Sequence, residues 1–280
     1  MFHARLNQFN STRSLPAHTN PDWRVDLTLD YAMRVEEGDF IERERYLVQG
    51  MAELAPKEPR AFVRWYEELR EHGPGQGDPL FAWLAHDATL DEMRWFLMQE
   101  AVEEAGFEDL VALTQVRFPV RPKLEMARNY WDEMGRGHER GMHGLLLAAA
   151  VSELKLVTSI KDTVWEALAL SNLMAALASN RRYAYQAIGA LGANEMTAPE
   201  RVTQVNAGLK RLHVSAAART YFQLHAGLEV KHSKAWNEEV IFPLVQADSR
   251  SAHPIAEGAL MRLAGGARCF QRYRAHFGLD

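Results

Sequence analysis

Two imidazoles and a carboxylate, those of His225, Glu229 and His232, lie in the stretch 221–232, Tyr-Phe-Gln-Leu-His-Ala-Gly-Leu-Glu-Val-Lys-His. Their spacing is helical: at about 100° per residue, all three side chains fall within one arc of about 60°. Such a set converging on one stripe is a metal-ligand set of the N/O type that suits iron, manganese or zinc. The alternative is a polar helix face that happens to carry two histidines. Phe222 and Trp236 lie on the same side of a continued helix, which makes this a buried face. Burying two imidazoles and a carboxylate without partners is costly, so the metal reading is preferred.

Three ligands leave a metal site incomplete, and other helices must supply the rest. The best donor is the stretch 123–143. Here Glu133 follows Tyr130 and Trp131 and precedes the break Gly135-Arg136-Gly137, with His143 beyond it. In a straight helix ten residues span about 15 Å, too far for both to reach one cluster, but the glycines permit the helix to unwind and fold His143 back. On local grounds a solvated turn of Asp132, Glu133, Arg136, His138, Glu139 and Arg140 is an equal reading. Glu195, in Leu-Gly-Ala-Asn-Glu-Met, is the other candidate. Taken alone, it reads more readily as a terminal surface glutamate.

The elements that must position these residues are helices. Helical patterns fit about 24–36, 40–54, 58–72, 78–86, 90–105, 107–116, 121–135, 142–154, 162–193, 199–212, 216–247 and 252–275. Residues 1–21, rich in Asn, Ser, Thr and Pro, read as an irregular N-terminal arm ahead of one domain over 22–280. Gly73-Pro74-Gly75-Gln76-Gly77 marks a loop, and two prolines extend 118–122. Thr197-Ala-Pro-Glu200 has the form of a capping box that starts a helix, and Ser215 that of an N-cap. No β-alternating run and no repeat appears. The fold class is all-α, a single helical bundle.

Composition narrows the function. The 280 residues are 47% hydrophobic, enough for a large core. A net charge of −5 and a sequence pI of about 6.1 give no electrostatic case for nucleic acid or an anionic membrane surface. The single cysteine, Cys269, excludes an internal disulfide, a thiolate zinc cluster and an iron–sulfur site. Without an apolar leader or a run of 18 apolar residues, the expectation is a cytoplasmic protein.

The ordered set Asn129-Tyr-Trp-Asp-Glu133-Met-Gly-Arg-Gly, His143, Glu195, then His225, Glu229, His232 and Trp236 resembles the haem-oxygenase-like diiron oxidases and oxygenases. These are often described as iron-containing redox enzymes. The similarity covers roughly 80–245 and includes Phe96-Leu97-(x2)-Glu100 and Lys123-(x)-Glu125-(x2)-Arg128-Asn129. The resemblance implies a haem-oxygenase-like bundle of about seven core helices that holds two Fe(II) ions in place of haem. By position, Glu133 and His143 come from one core helix, Glu195 from another, and His225, Glu229 and His232 from a third. The family usually carries Asp where this chain has Glu229. Glu100 is either a further ligand or ligand-orienting group, or a helix-packing glutamate, the second being preferred. Tyr130, Trp131, Tyr221, Phe222 and Trp236 are expected to wall the pocket.

The implied activity is oxidation of a small molecule by dioxygen, with electrons from an external reductant or donor. An amine or amino acid in a biosynthetic pathway is the first expectation, through N-oxygenation or oxidative C–C cleavage. Oxidative decarboxylation of a fatty acid is the second. Arg128, Arg181 and Arg182 are candidates for a substrate carboxylate, although surface ion pairing explains each as well. Homodimerisation stays open. Two rivals fit less well. A ferritin-like protein needs two Glu-x-x-His motifs, and this chain has only Glu229-x-x-His232. Among metal-free binding proteins and hydrolases of the same bundle, a hydrolase needs a cysteine nucleophile, and Cys269 lies outside the motif helices.

Overall fold

The computed structural model describes residues 1–16, 18, 22–104 and 106–279, apart from the side chains of residues 103, 104 and 228–230. The chain forms α1 (Phe2–Ser14), α2 (Trp23–Ala52), α3 (Pro59–His72), α4 (Pro79–His86), α5 (Leu90–Glu104), α6 (Phe107–Thr114) and α7 (Val120–Glu133). After two short 3-10 turns come α8 (His143–Glu153), α9 (Trp165–Ser179), α10 (Ala184–Arg211), α11 (Thr220–Ala235), a π-helical turn (Trp236–Ile241), α12 (Phe242–Ala247) and α13 (Ala252–Phe277). No strand occurs among the described residues, only one isolated bridge between Met134 and Met142. The fold is all-α, as the periodicity requires. No described helix is long and apolar enough to cross a membrane.

Helix α10 is the axis of the bundle. Every residue from Gln186 to Ala198 is buried, because α13, α11, α4 and α9 pack around it. The α10–α13 crossing brings backbones into contact. A Cβ on Gly189 would lie 1.9 Å from the Ile255 carbonyl oxygen, and one on Gly258 would lie 1.9 Å from the Gln186 carbonyl oxygen. Facing glycines on two helices allow this approach.

The structure corrects several expectations. Residues 2–14 are helix, not irregular arm. Their asparagines act as interhelical pairing groups: Asn10 donates to Asn172 at 3.0 Å, and Asn172 donates to the His3 carbonyl at 2.9 Å. Leu6 is fully buried in the same contact. The helices expected over 24–36 and 40–54 are one helix, α2.

The Thr197–Glu200 capping box is also overturned, because α10 runs straight through Pro199. The Thr197 hydroxyl donates to the Ala193 carbonyl at 2.8 Å, one turn back, and accepts from Arg201 at 3.1 Å. A proline there removes the N–H that would bond the carbonyl of Glu195. Conversely, the single helix expected over 162–193 is broken after Ser179, where the Asn180 side chain accepts from the Arg182 N–H and opens a new turn. Ser215 caps the turn before α11, accepting from the Ala218 N–H at 3.2 Å.

Candidate metal centre

Four helices bring five buried side chains together. Glu133 is the last residue of α7 and His143 the first of α8. Glu195 comes from the buried centre of α10, and His225 and His232 from α11. Two triads result, Glu133–His143–His225 and Glu133–Glu195–His232, each with one ligand atom per residue and those atoms within 4.8 Å of one another. Glu133 belongs to both. The side chain of Glu229 lies outside the described residues.

The loop between Glu133 and His143 makes the first triad. Gly135 has φ +60°, and a Cβ there would lie 2.4 Å from the Gly141 carbonyl carbon, so only glycine permits this closure. Met134 and Met142 pair across its neck. The resemblance put Glu133 and His143 on one helix. They stand on two, because the loop ends α7 and restarts the chain at α8.

Neighbouring groups orient the site. Asn129, one turn before Glu133, donates to Glu195 Oε1 at 2.8 Å, which leaves Oε2 turned towards His232 Nδ1 at 3.4 Å. The other nitrogen, His232 Nε2, lies 3.0 Å from Asp132 Oδ2, while Arg136 donates to Asp132 Oδ1 at 2.6 Å. His225 Nδ1 donates to the Tyr221 carbonyl at 2.8 Å, so its lone pair sits on Nε2. Imidazoles held by carboxylate or carbonyl on one nitrogen present the other to a metal. Asn129 and Asp132 were not among the expected site residues. The four-residue step from Asn129 to Glu133 is the helical signal that reveals the first; Asp132 has none, since it meets His232 only in the fold.

Charge is arranged unevenly. Burial, with His232 nearby, lowers the His143 imidazole to about 4, and burial with His143 nearby also lowers His225. Burial disfavours the imidazolium of His232 too, but the carboxylates of Glu195, Asp132 and Glu133 outweigh it and raise His232 to about 9.

The donor set suits iron. Buried polar atoms are ordinarily hydrogen-bonded, yet His143 Nδ1, Glu195 Oε2 and His232 Nδ1 have no hydrogen-bond partner. His143 Nδ1 approaches Glu133 Oε2 at 2.5 Å without hydrogen-bond alignment. Buried carboxylate and imidazole atoms that converge in this way are what a hard-to-borderline cation needs.

The remaining expectations divide. Glu100 is absent from both triads and accepts from the Tyr273 hydroxyl at 2.9 Å, which fits the packing reading. Trp131 is 53% exposed and is not a pocket wall; its ring covers Gly137 instead. Trp236 is buried and donates to the Ile188 carbonyl at 3.1 Å, fixing the end of α11 against α10. Tyr221 and Phe222 do line a cavity. Arg128 pairs with Glu125, and Arg181 donates to the Thr114 carbonyl; neither they nor Arg182 line it.

No curated protein matches the chain. A model of the iron-containing redox enzymes matches residues 94–267, well over half of the sequence and all five converging residues. With a helical bundle and a buried Glu/His cluster of iron-binding chemistry, the chain belongs to the family of iron-containing redox enzymes.

Proposed function

We propose that the protein is a non-haem diiron oxygenase or oxidase, which uses dioxygen and an external electron donor to oxidise a small metabolite, in the first instance an amine or amino acid. The observation that carries this reading is the pair of triads joined by Glu133. Glu133 is the residue common to both groups, so its carboxylate would help to hold either cation. Glu229 is put forward as the sixth ligand because it shares one helical arc of about 60° with His225 and His232.

His143 and His225 would hold one iron with Glu133; Glu195 and His232 would hold the other. Bound ferrous iron supplies the electrons that reduce dioxygen. The protein's part is to fix the ligands and keep bulk water away, which the burial of all five residues accomplishes. Asn129 and Asp132 hold Glu195 and His232 in place, so little reorganisation is needed on binding.

Protein loaded anaerobically with ferrous iron should bind about two irons per chain and consume oxygen when air is admitted. Binding of a single zinc with no oxygen uptake would sink the proposal. The histidines add a pH signature. At pH 7 His143 and His225 are already neutral, whereas His232, raised to about 9, is protonated and must lose its Nδ1 proton to become a ligand. Anaerobic ferrous titration in dilute buffer at pH 7 should therefore release about one proton per chain from this site, and the release should fade as the pH rises through about 9. A titration without proton release at pH 7 would show that His232 is already neutral before iron binds.

A further inference from the structure

Helix α2 is 30 residues long, about 45 Å, and much of its outward face is apolar. Val25 is 52% exposed, Leu29 60%, Leu47 64% and, in the turn just after the helix, Leu54 76%. Residues 22–29 are all exposed, so two turns of the helix stand clear of the described part of the bundle. A helical end with no packed side is marginal in water, and exposed apolar surface on this scale marks a contact.

The face has an order that reads alike from both ends. Val25, Leu29, Ala32 and Glu36 are mirrored by Leu54, Gly50, Leu47 and Arg43, the members of each pair lying equally far from the point between Asp39 and Phe40. From Val25 to Gly50 these positions fall within one arc of about 60°, at about 100° per residue. The two charges are of opposite sign. Glu36 touches Arg5 of its own chain, whereas the exposed Arg43 has no ion-pair partner among the described residues. Gly50 points to a neighbour independently. Glycine inside a helix is costly, and a Cβ at Gly50 would meet nothing within 4 Å. The chain's own packing has no use for a glycine there, but the close approach of another helix has.

We propose that two copies of this chain associate through α2, antiparallel about a two-fold axis that passes between Asp39 and Phe40. In that register Glu36 stands opposite the partner's Arg43, Val25 opposite the partner's Leu54 and Ala32 opposite the partner's Leu47, while Leu29 packs over the partner's Gly50. The unsupported start of each helix gains the end of the other as its wall. A two-fold contact must be self-complementary. A face whose apolar positions match and whose charges reverse about its centre meets that requirement, whereas a partner of another sequence gives no reason for the mirror order. Two helices paired along about 45 Å bury on the order of 800 Å² per partner, the size of a specific, stable interface.

Light scattering across a dilution series tests this on the full chain and is independent of iron. The mass at micromolar concentration should be twice that of one chain. Leu47→Asp should give a monomer, and Arg43→Glu, which sets acid against acid, should raise the dimer dissociation constant about tenfold or more. Gly50→Phe should weaken the dimer about as much by overfilling the contact, although nothing in its own chain stands within 4 Å of the new Cβ. The register has its own readout. A chain carrying both Ala32→Cys and Leu47→Cys should form a disulfide-linked dimer on air oxidation, and neither single variant should. The two positions are about 22 Å apart along one helix, so the bond must join two copies that run in opposite directions. Cys269 is buried and takes no part. Melting curves of all variants confirm folding. A monomer at every concentration would overturn the proposal, as would a dimer that Leu47→Asp and Gly50→Phe leave intact, or a cross-link through Ala32→Cys alone.

Discussion

Glu133→Ala should leave the protein almost without iron, while single removal of other ligands leaves part of it. Glu133 is the one side chain common to both triads, so on the proposed diiron reading its loss would take a ligand from each cation. His225 belongs to the first triad only and His232 to the second only. Anaerobic titration should therefore show affinity at both positions falling by more than about a hundredfold for Glu133→Ala. His225→Ala or His232→Ala should each retain one position, and Glu229→Gln should weaken one selectively. Helical circular dichroism should stay close to that of the parent, because α10 packs extensively against α11 and α13. A Glu133→Ala protein that still binds two irons would show that the triads are not the metal site.

A second large effect is expected far from the ligands. Gly189→Ala places a methyl group 1.9 Å from the Ile255 carbonyl oxygen, which is backbone and cannot rotate away. The two helices must separate, at a cost of about 3 kcal/mol. Gly258→Ala meets the Gln186 carbonyl oxygen across the same crossing and should cost about as much. Gly38 in α2 is the control. A Cβ there meets nothing within 4 Å, so Gly38→Ala should be neutral or stabilise by up to about 1 kcal/mol through helix propensity. Urea denaturation measures all three. Equal midpoints for Gly189→Ala and the parent would mean that the crossing yields more easily than its backbone contact implies. Because Glu195 lies on α10 less than two turns from Gly189, the same variants should also bind iron more weakly.

What could be read in the sequence was whatever depends on local spacing. Helical periodicity puts His225 and His232 on one face, and the glycines after Glu133 signal the fold-back that brings His143 round. Pro199 and Thr197 misled because a proline has the same local look at the start of a helix and inside one; tertiary burial on every side of α10 decides it. The first helix was hidden because its asparagines serve as partners for α9, and polar residues that pair across helices look like loop until the partner is known. Asp132 acts on a residue far away in the chain, so no spacing rule finds it.

The order in which the ligands occur along the chain has a consequence for biogenesis. A nascent chain that has emerged as far as α8 offers Glu133 and His143 and nothing more of the first triad; the second needs α10 and then α11. Neither group is complete until His225 and His232 have been made, and α10 settles into its final surroundings only when α13, the last helix, is laid against it. Domains form in the order of synthesis, so the cluster is among the last features to take shape. On the proposed reading, cation capture would wait for these late helices, and the route to five buried side chains would have to open in a nearly complete bundle.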